Sequence, residues 1–258
     1  MKNINKSNSA RPELVEGYEQ TPNLIQTSVL LKDKNWFKTG GPAKYYAEPA
    51  TELEFQAALD FAKENKQEVF VLGKGANVLI SDSGFDGLVI HPKLETIGIE
   101  NETADSTIVK AGAGTDFPAL IDWCLENNIL GLEEFSGIPG TVGGAVFINL
   151  HYFQFLLNQF LIEAEVIEKS TGKILKVKNN WFNFGYNKSA LADRKHYLLS
   201  ATFKLKPATD IEVAYAKGRQ TEIIRHRVTR YPYKGTCGSF FRNFHADEVN
   251  LIVNNKKA

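Results

Sequence analysis

Apolar positions along the chain follow two periods, and from about Ser28 their alternation predicts strands interleaved with helices packed on a sheet. Thr51 followed by Glu54 is a capping box. Phe55, Ala58, Leu59 and Ala62 then fall on one helical face, ahead of the strand-like Glu68-Val69-Phe70-Val71-Leu72. Asn77-Val78-Leu79-Ile80 reads as a further strand. A second helix opens near Thr115 or Asp116 with Pro118 in its first turn, and its buried stripe is Phe117, Leu120, Ile121, Cys124 and Leu125. Residues 162–167 alternate as a strand, Ser170-Thr171-Gly172 turns the chain, and Ile174-Leu175-Lys176-Val177 returns it as a hairpin. Residues 196–205 read as one more strand. A basic, helix-compatible stretch occupies 212–230, which places a domain boundary at 206–209.

Composition narrows the class. The 258 residues are 43% hydrophobic and 23% charged, enough for two domains and unlike a disordered or collagen-like chain. Thirty basic residues balance thirty acidic ones, which argues against a nucleic-acid or membrane-surface partner and for a small molecule. Cys124 and Cys237 are too few for a disulfide framework or a structural zinc site, and point to a reducing, cytoplasmic location. Cys124 reads as a small core hydrophobe. Five histidines show neither HxH nor HExxH spacing, so no metal centre is expected. Residues 1–24 are polar, with no signal-peptide core, and read as a flexible leader. The most apolar run, 153–162, is interrupted by Gln154, Asn158 and Gln159 and falls short of the roughly 20 residues of a membrane span.

Glycine loops carry the candidate chemistry. They are Thr39-Gly40-Gly41, Gly73-Lys74-Gly75-Ala76-Asn77, the pair Gly112 and Gly114, and Gly137-Ile138-Pro139-Gly140-Thr141-Val142-Gly143-Gly144-Ala145. The second is no Rossmann fingerprint, because Val78 stands where a third glycine belongs; GxxxxGK[ST] and GxSxG are absent. Taken together, the loops offer backbone N–H groups to one extended anionic ligand, so cofactor chemistry outranks hydrolysis. Residues 217–242 set seven cations, among them Arg225, Arg227 and Lys234, against the single acid Glu222. This stretch reads either as solvated surface or as a site for a diphosphate-bearing substrate.

In their order these segments resemble the UDP-N-acetylenolpyruvoylglucosamine reductase family, flavoenzymes that make UDP-N-acetylmuramate for peptidoglycan. The resemblance spans 28–243 and is carried by four motifs. These are Asn35-Trp36-Phe37-Lys38-Thr39-Gly40-Gly41-Pro42-Ala43, the run from Leu72 through Asn77 to Leu79, the run from Gly131 to Ala145, and Cys237-Gly238-Ser239-Phe240-Phe241-Arg242-Asn243. It implies an α+β chain: a two-lobed FAD-binding unit of the vanillyl-alcohol-oxidase type over 25–206, with lobes at 25–92 and 93–206, then a small, incomplete α/β substrate domain over 207–258. FAD would be held non-covalently by Thr39, Gly40, Gly41, Gly73, Lys74, Gly75, Ala76, Asn77, Gly112, Gly114, Gly137, Ile138, Pro139, Gly140, Thr141, Gly143, Gly144 and Ala145. NADPH would supply hydride for the vinyl carbon of an enolpyruvyl sugar nucleotide, and Ser239 would give the proton. Tyr186, Lys188, Arg225, Arg227, Lys234 and Asn243 would bind that substrate.

Three features depart from the family pattern. Asn187 follows Tyr186 where an arginine usually holds the substrate carboxylate, leaving Lys188 or Arg194 as substitutes. The family's small Asn-Ala-Gly-Ala-type sequence is replaced by Asn149-Leu150-His151-Tyr152-Phe153-Gln154-Phe155. The chain also reads as truncated, with no counterpart of a C-terminal glutamate that assists protonation. Two further readings stay open: a truncated or degenerate FAD-binding protein without turnover, and a flavin oxidase acting on another substrate.

Overall fold

The computed structural model describes residues 24–231, 235–236 and 238, and the backbone of 252–253 and 256–257. Two lobes follow one another. The first runs through β1 (Ile25–Leu30), β2 (Pro42–Ala47), α1 (Glu52–Glu64), β3 (Val69–Val71) and β4 (Phe85–Ile90). Its sheet has the order β1-β2-β4-β3, with β4 parallel to both β2 and β3 and β1 antiparallel to β2. Helix α1 is capped as its sequence predicts: Thr51 accepts from the Glu54 N–H while the Glu54 side chain returns to the cap, and Phe55, Ala58, Leu59 and Ala62 are buried.

The second lobe comprises β5 (Ile97–Glu102), β6 (Thr107–Gly112), α2 (Phe117–Glu126), β7 (Ile129–Leu130), α3 (Val142–Phe147), the hairpin β8 (His151–Tyr152) and β9 (Phe155–Leu156), β10 (Leu161–Glu168), β11 (Ile174–Lys178) and β12 (His196–Pro207). Strand order is β11-β10-β12-β6-β5, antiparallel throughout, with β7 added beside β12. The interleaving of strands and helices expected from about Ser28 gives parallel pairing only in the first lobe, and the hairpin expected at 162–177 forms in the second. Connections such as Ser170-Thr171-Gly172 close hairpins and are far too short for a parallel crossover. The expected strand at 77–80 does not form. Ile80 instead packs on Gly40, the Gly41 N–H reaches Ser81 O at 2.9 Å, and Leu79 is exposed.

Beneath the second sheet, Val109, Phe117, Leu120, Phe135, Val142, Val146, Val166, Ala201 and Phe203 form one core. A separate cluster joins the lobes: Phe55 and Leu59 of α1 pack with Ile167, Tyr197 and Leu199 of the second sheet. Helix α4 (Asp210–Arg230) starts with a Thr209/Glu212 capping box, so the expected boundary at 206–209 falls on a strand-to-helix junction. Its buried residues Val213, Ala216 and Ile223 lie on the side of α2, β7 and the turn Glu133–Phe135, and Arg219 grips Glu134 with two 3.0 Å bonds. Among the described residues no helix is long and apolar enough to cross a membrane.

Candidate functional site

The 73–77 loop is the centre of a seam between the lobes. Leu72 anchors its start: the Leu72 N–H donates to Ile90 O at 2.8 Å, and Leu72 O accepts from His91 Nδ1 at 2.9 Å, which requires the Nδ1–H tautomer. Burial holds His91 below the usual histidine range. A Cβ on Gly73 would stand 2.6 Å from Thr141 Oγ1, and one on Gly75, at φ +63°, would stand 2.5 Å from Asn35 Cβ. Glycine thus lets the loop press against the first lobe on one side and the 137–145 loop on the other. Among the described residues, no N–H of Gly73, Lys74, Gly75, Ala76 or Asn77 donates to another protein group, leaving a row of open donors.

Across the seam, the 137–145 loop is tied down at chosen points. The Phe117 N–H donates to Gly140 O at 3.0 Å, Val142 N–H to Thr115 O at 2.9 Å, and Gly143 N–H to Ala113 O at 2.8 Å. Thr141 caps α3 by accepting from the Gly144 N–H at 3.2 Å, while the Ile138 and Ala145 N–H groups bond Phe135 O and Thr141 O. Gly143, Gly144, Ala145 and Ile138 therefore have their donors committed to the fold, and Pro139 has none. Gly137, Gly140 and Thr141 keep theirs, and the space where a Gly140 Cβ would stand is open.

Three further expected glycines have their N–H groups engaged within the fold. Gly112 and Gly114 give their N–H groups to Thr96 O at 2.8 Å and Leu94 O at 3.0 Å, and a Cβ on either would stand within 2.4 Å of a carbonyl oxygen of the interlobe connection. Gly41 likewise has its N–H on Ser81, and its Cβ position is 2.1 Å from Asp82 O. These glycines permit close backbone packing. The organiser of the 39–41 turn is Asn35, absent from the expected set: its Nδ2 donates to Leu31 O at 2.6 Å and Thr39 O at 2.7 Å, and its Oδ1 accepts from the Lys38 N–H at 2.9 Å. The Thr39 hydroxyl is buried and has no partner among the described residues.

The cations separate. Lys74 reaches over the seam to Asp116 Oδ2, while Asp116 Oδ1 accepts from the Ala119 N–H at 3.3 Å and caps α2. Arg227 donates from Nε to Gly137 O at 3.1 Å and lies over the Tyr152 ring at 5.7 Å and the Tyr231 ring at 5.2 Å. Arg225 is turned away and pairs with Glu222 at 2.7 Å on exposed surface, so it does not share the place of Arg227. Tyr186 and Asn187 form the tip of a turn closed by hydrogen bonds between Gly185 and Lys188; Lys188 is exposed, and the Tyr186 ring lies 5.0 Å from His151 beside a cavity of about 330 Å³. Arg194 is paired with Glu68 of the first lobe at 3.9 Å. Ser239, Lys234 and Asn243 lie outside the described residues. Gly238 is described, and its Cβ position falls 3.5 Å from Asn77 Oδ1.

An orphaned Thr39 hydroxyl, the open 73–77 donors and those of Gly140 and Thr141 fit the phosphates and polar edges of a dinucleotide. Comparison with known proteins agrees. Residues 43–178 match the family model described as FAD binding domain. The chain is 36% identical over 233 residues to the UDP-N-acetylenolpyruvoylglucosamine reductase of Protochlamydia amoebophila (strain UWE25), covering 90% of this chain and 75% of that one. Among solved structures it is similar to the UDP-N-acetylenolpyruvylglucosamine reductase of Thermus caldophilus, with a TM-score of 0.71 and 27% identity over 89% of this chain and 82% of the other. A VAO-type flavoprotein from Myceliophthora thermophila shares the fold at a TM-score of 0.50 and 18% identity, covering 64% of this chain and 32% of its own.

Proposed function

Because the chain belongs to the UDP-N-acetylenolpyruvoylglucosamine reductase family and carries its FAD-binding domain, we propose that it binds FAD in the interlobe seam and reduces an enolpyruvyl UDP-sugar with NADPH. This reaction yields UDP-N-acetylmuramate, a peptidoglycan precursor. The observation that carries the reading is the row of N–H donors at 73–77 that are uncommitted among the described residues, on a loop packed against Thr141 of the 137–145 loop, where Gly140 and Thr141 also keep theirs. In this reading these donors hold the cofactor diphosphate, the Thr39 hydroxyl meets a polar edge of the cofactor, and Arg227, braced on Gly137, presents its remaining donors to the substrate diphosphate. FAD, when bound, supplies the two-electron carriage between NADPH and the vinyl carbon.

Hydride addition leaves negative charge beside the substrate carboxylate, and the adjacent carbon must be protonated on one face. In this reading Ser239 of the Gly238-Ser239-Phe240-Phe241 motif, as the family resemblance implies, gives that proton. A serine hydroxyl serves only where neighbouring donors stabilise the alkoxide it becomes.

The test is a visible spectrum of the purified protein with added FAD after gel filtration, then NADPH oxidation with and without the sugar nucleotide. Bound flavin and acceptor-dependent oxidation are expected. Ser239→Ala should retain flavin reduction by NADPH and lose substrate reduction; full turnover by that variant would remove Ser239 from the role. A flavin holder without turnover is the second reading, favoured by Asn187 and by the engagement of Arg194 with Glu68. Acceptor-dependent NADPH oxidation would exclude it.

A further inference from the structure

The 73–77 loop belongs to the first lobe, and Asp116 opens the second lobe's helix α2. Between them stands an ion pair whose geometry divides one carboxylate between two tasks. Oδ1 holds the Ala119 N–H and ends α2 properly, and Oδ2 takes the Lys74 ammonium. Both side chains are about one-third exposed, 41% for Lys74 and 32% for Asp116, so the pair sits at the lip of the seam and not in its floor. One position earlier, Gly73 is pressed on Thr141 of the same lobe. Consecutive residues therefore contact the second lobe, one by packing and one by charge.

We propose that Lys74 and Asp116 form a latch across the seam, holding the 73–77 loop in the closed position that keeps a ligand between the lobes. The Lys74 side chain then positions the loop and is not itself a partner of the cofactor diphosphate, which is left to the backbone N–H groups. An ammonium already neutralised by a carboxylate adds little to an anion site, whereas the open N–H groups on either side of it need no counter-charge. For its ligand the inference rests on the flavin reading. The pair itself does not.

The distinction is testable because Asp116→Asn removes the charge and keeps a good helix cap. Lys74→Met, Asp116→Asn, the double variant and Lys74→Arg are compared with wild type for the rate of FAD release at low and high salt. Each single charge-removing variant should release FAD about threefold to fivefold faster, the range of a partly exposed ion pair. The double variant should be no faster than either single one, Lys74→Arg should stay near wild type, and the differences should fade at high salt. If Asp116→Asn releases FAD at the wild-type rate while Lys74→Met is faster, the ammonium serves the diphosphate directly and the latch is wrong. Equally fatal would be two single effects that multiply. The same cycle is run on urea unfolding of the flavin-free protein, where coupling between the two positions is expected and its absence overturns the latch. A wild-type protein that binds no FAD would defeat the flavin reading, while the unfolding cycle still decides the latch.

Discussion

Gly75 is where backbone conformation and close approach coincide, and Gly75→Ala tests both. The residue sits at φ +63°, where an L side chain crowds the following carbonyl at a cost of roughly 1–2 kcal/mol. A Cβ there would also lie 2.5 Å from Asn35 Cβ and 2.6 Å from Asn35 Cα, and such overpacking costs about 1–3 kcal/mol. Asn35 cannot yield easily, since its side chain holds Leu31, Lys38 and Thr39. The expected loss is about 2–5 kcal/mol in urea unfolding, with weakened FAD binding by fluorescence titration because the 73–77 donors move. Gly75→Asn tolerates the left-handed region and should recover only the conformational share, about 1 kcal/mol. As a control, Gly218→Ala lies within α4 with open space around its Cβ position and should stabilise by about 0.5–1 kcal/mol. A Gly75→Ala protein within about 0.5 kcal/mol of wild type and with unchanged FAD affinity would refute the reasoning about both terms.

Other expectations follow from buried polar groups. Tyr197 is 7% exposed and its hydroxyl has no partner among the described residues, so Tyr197→Phe should stabilise the protein by about 1 kcal/mol at neutral pH. Burial pushes its phenol up to about 12 from 10, so the unfolded chain loses this proton first and stability falls as pH rises from 10 to 12; urea midpoints across that range should decline less in the variant. Cys124 is buried with its thiol pushed up to about 12, so in a Cys237→Ser background a thiol reagent should react only on unfolding; prompt reaction of the native protein would contradict its place in the core. His91→Asn keeps a donor near Leu72 O and should bind FAD nearly as wild type, whereas His91→Leu strands that carbonyl and should weaken binding measurably by titration; equal affinities would clear His91 of any part in shaping the loop.

Much of the fold is legible locally. Thr51 with Glu54 announces a helix start because the reciprocal hydrogen bonds involve residues three apart, and the stripe from Phe117 to Leu125 needs only helical spacing. The run 77–80 misleads for the same reason. It has strand composition, but Ile80 lies against Gly40 and the Ser81 carbonyl that follows takes the Gly41 N–H, a turn contact instead of a ladder.

The candidate site divides along the same line. Sequence by itself determines that glycine-rich segments, a basic stretch and a GSFF motif occur in one order, and with that order the family. It cannot tell a glycine kept for its free N–H from one kept because a carbonyl passes close by. Gly140, with open space at its Cβ position, is of the first kind, Gly112 and Gly114 are of the second, and the difference rests on Pro92 and Leu94, which only the folded chain brings within reach. Nor can it separate Arg225 from Arg227, two residues apart, one paired with Glu222 in solvent and the other braced on Gly137. Local hydrogen bonding and periodicity are written in neighbouring residues, whereas the commitment of each donor and charge is settled by partners distant in the chain, and those are chosen by packing the two lobes together.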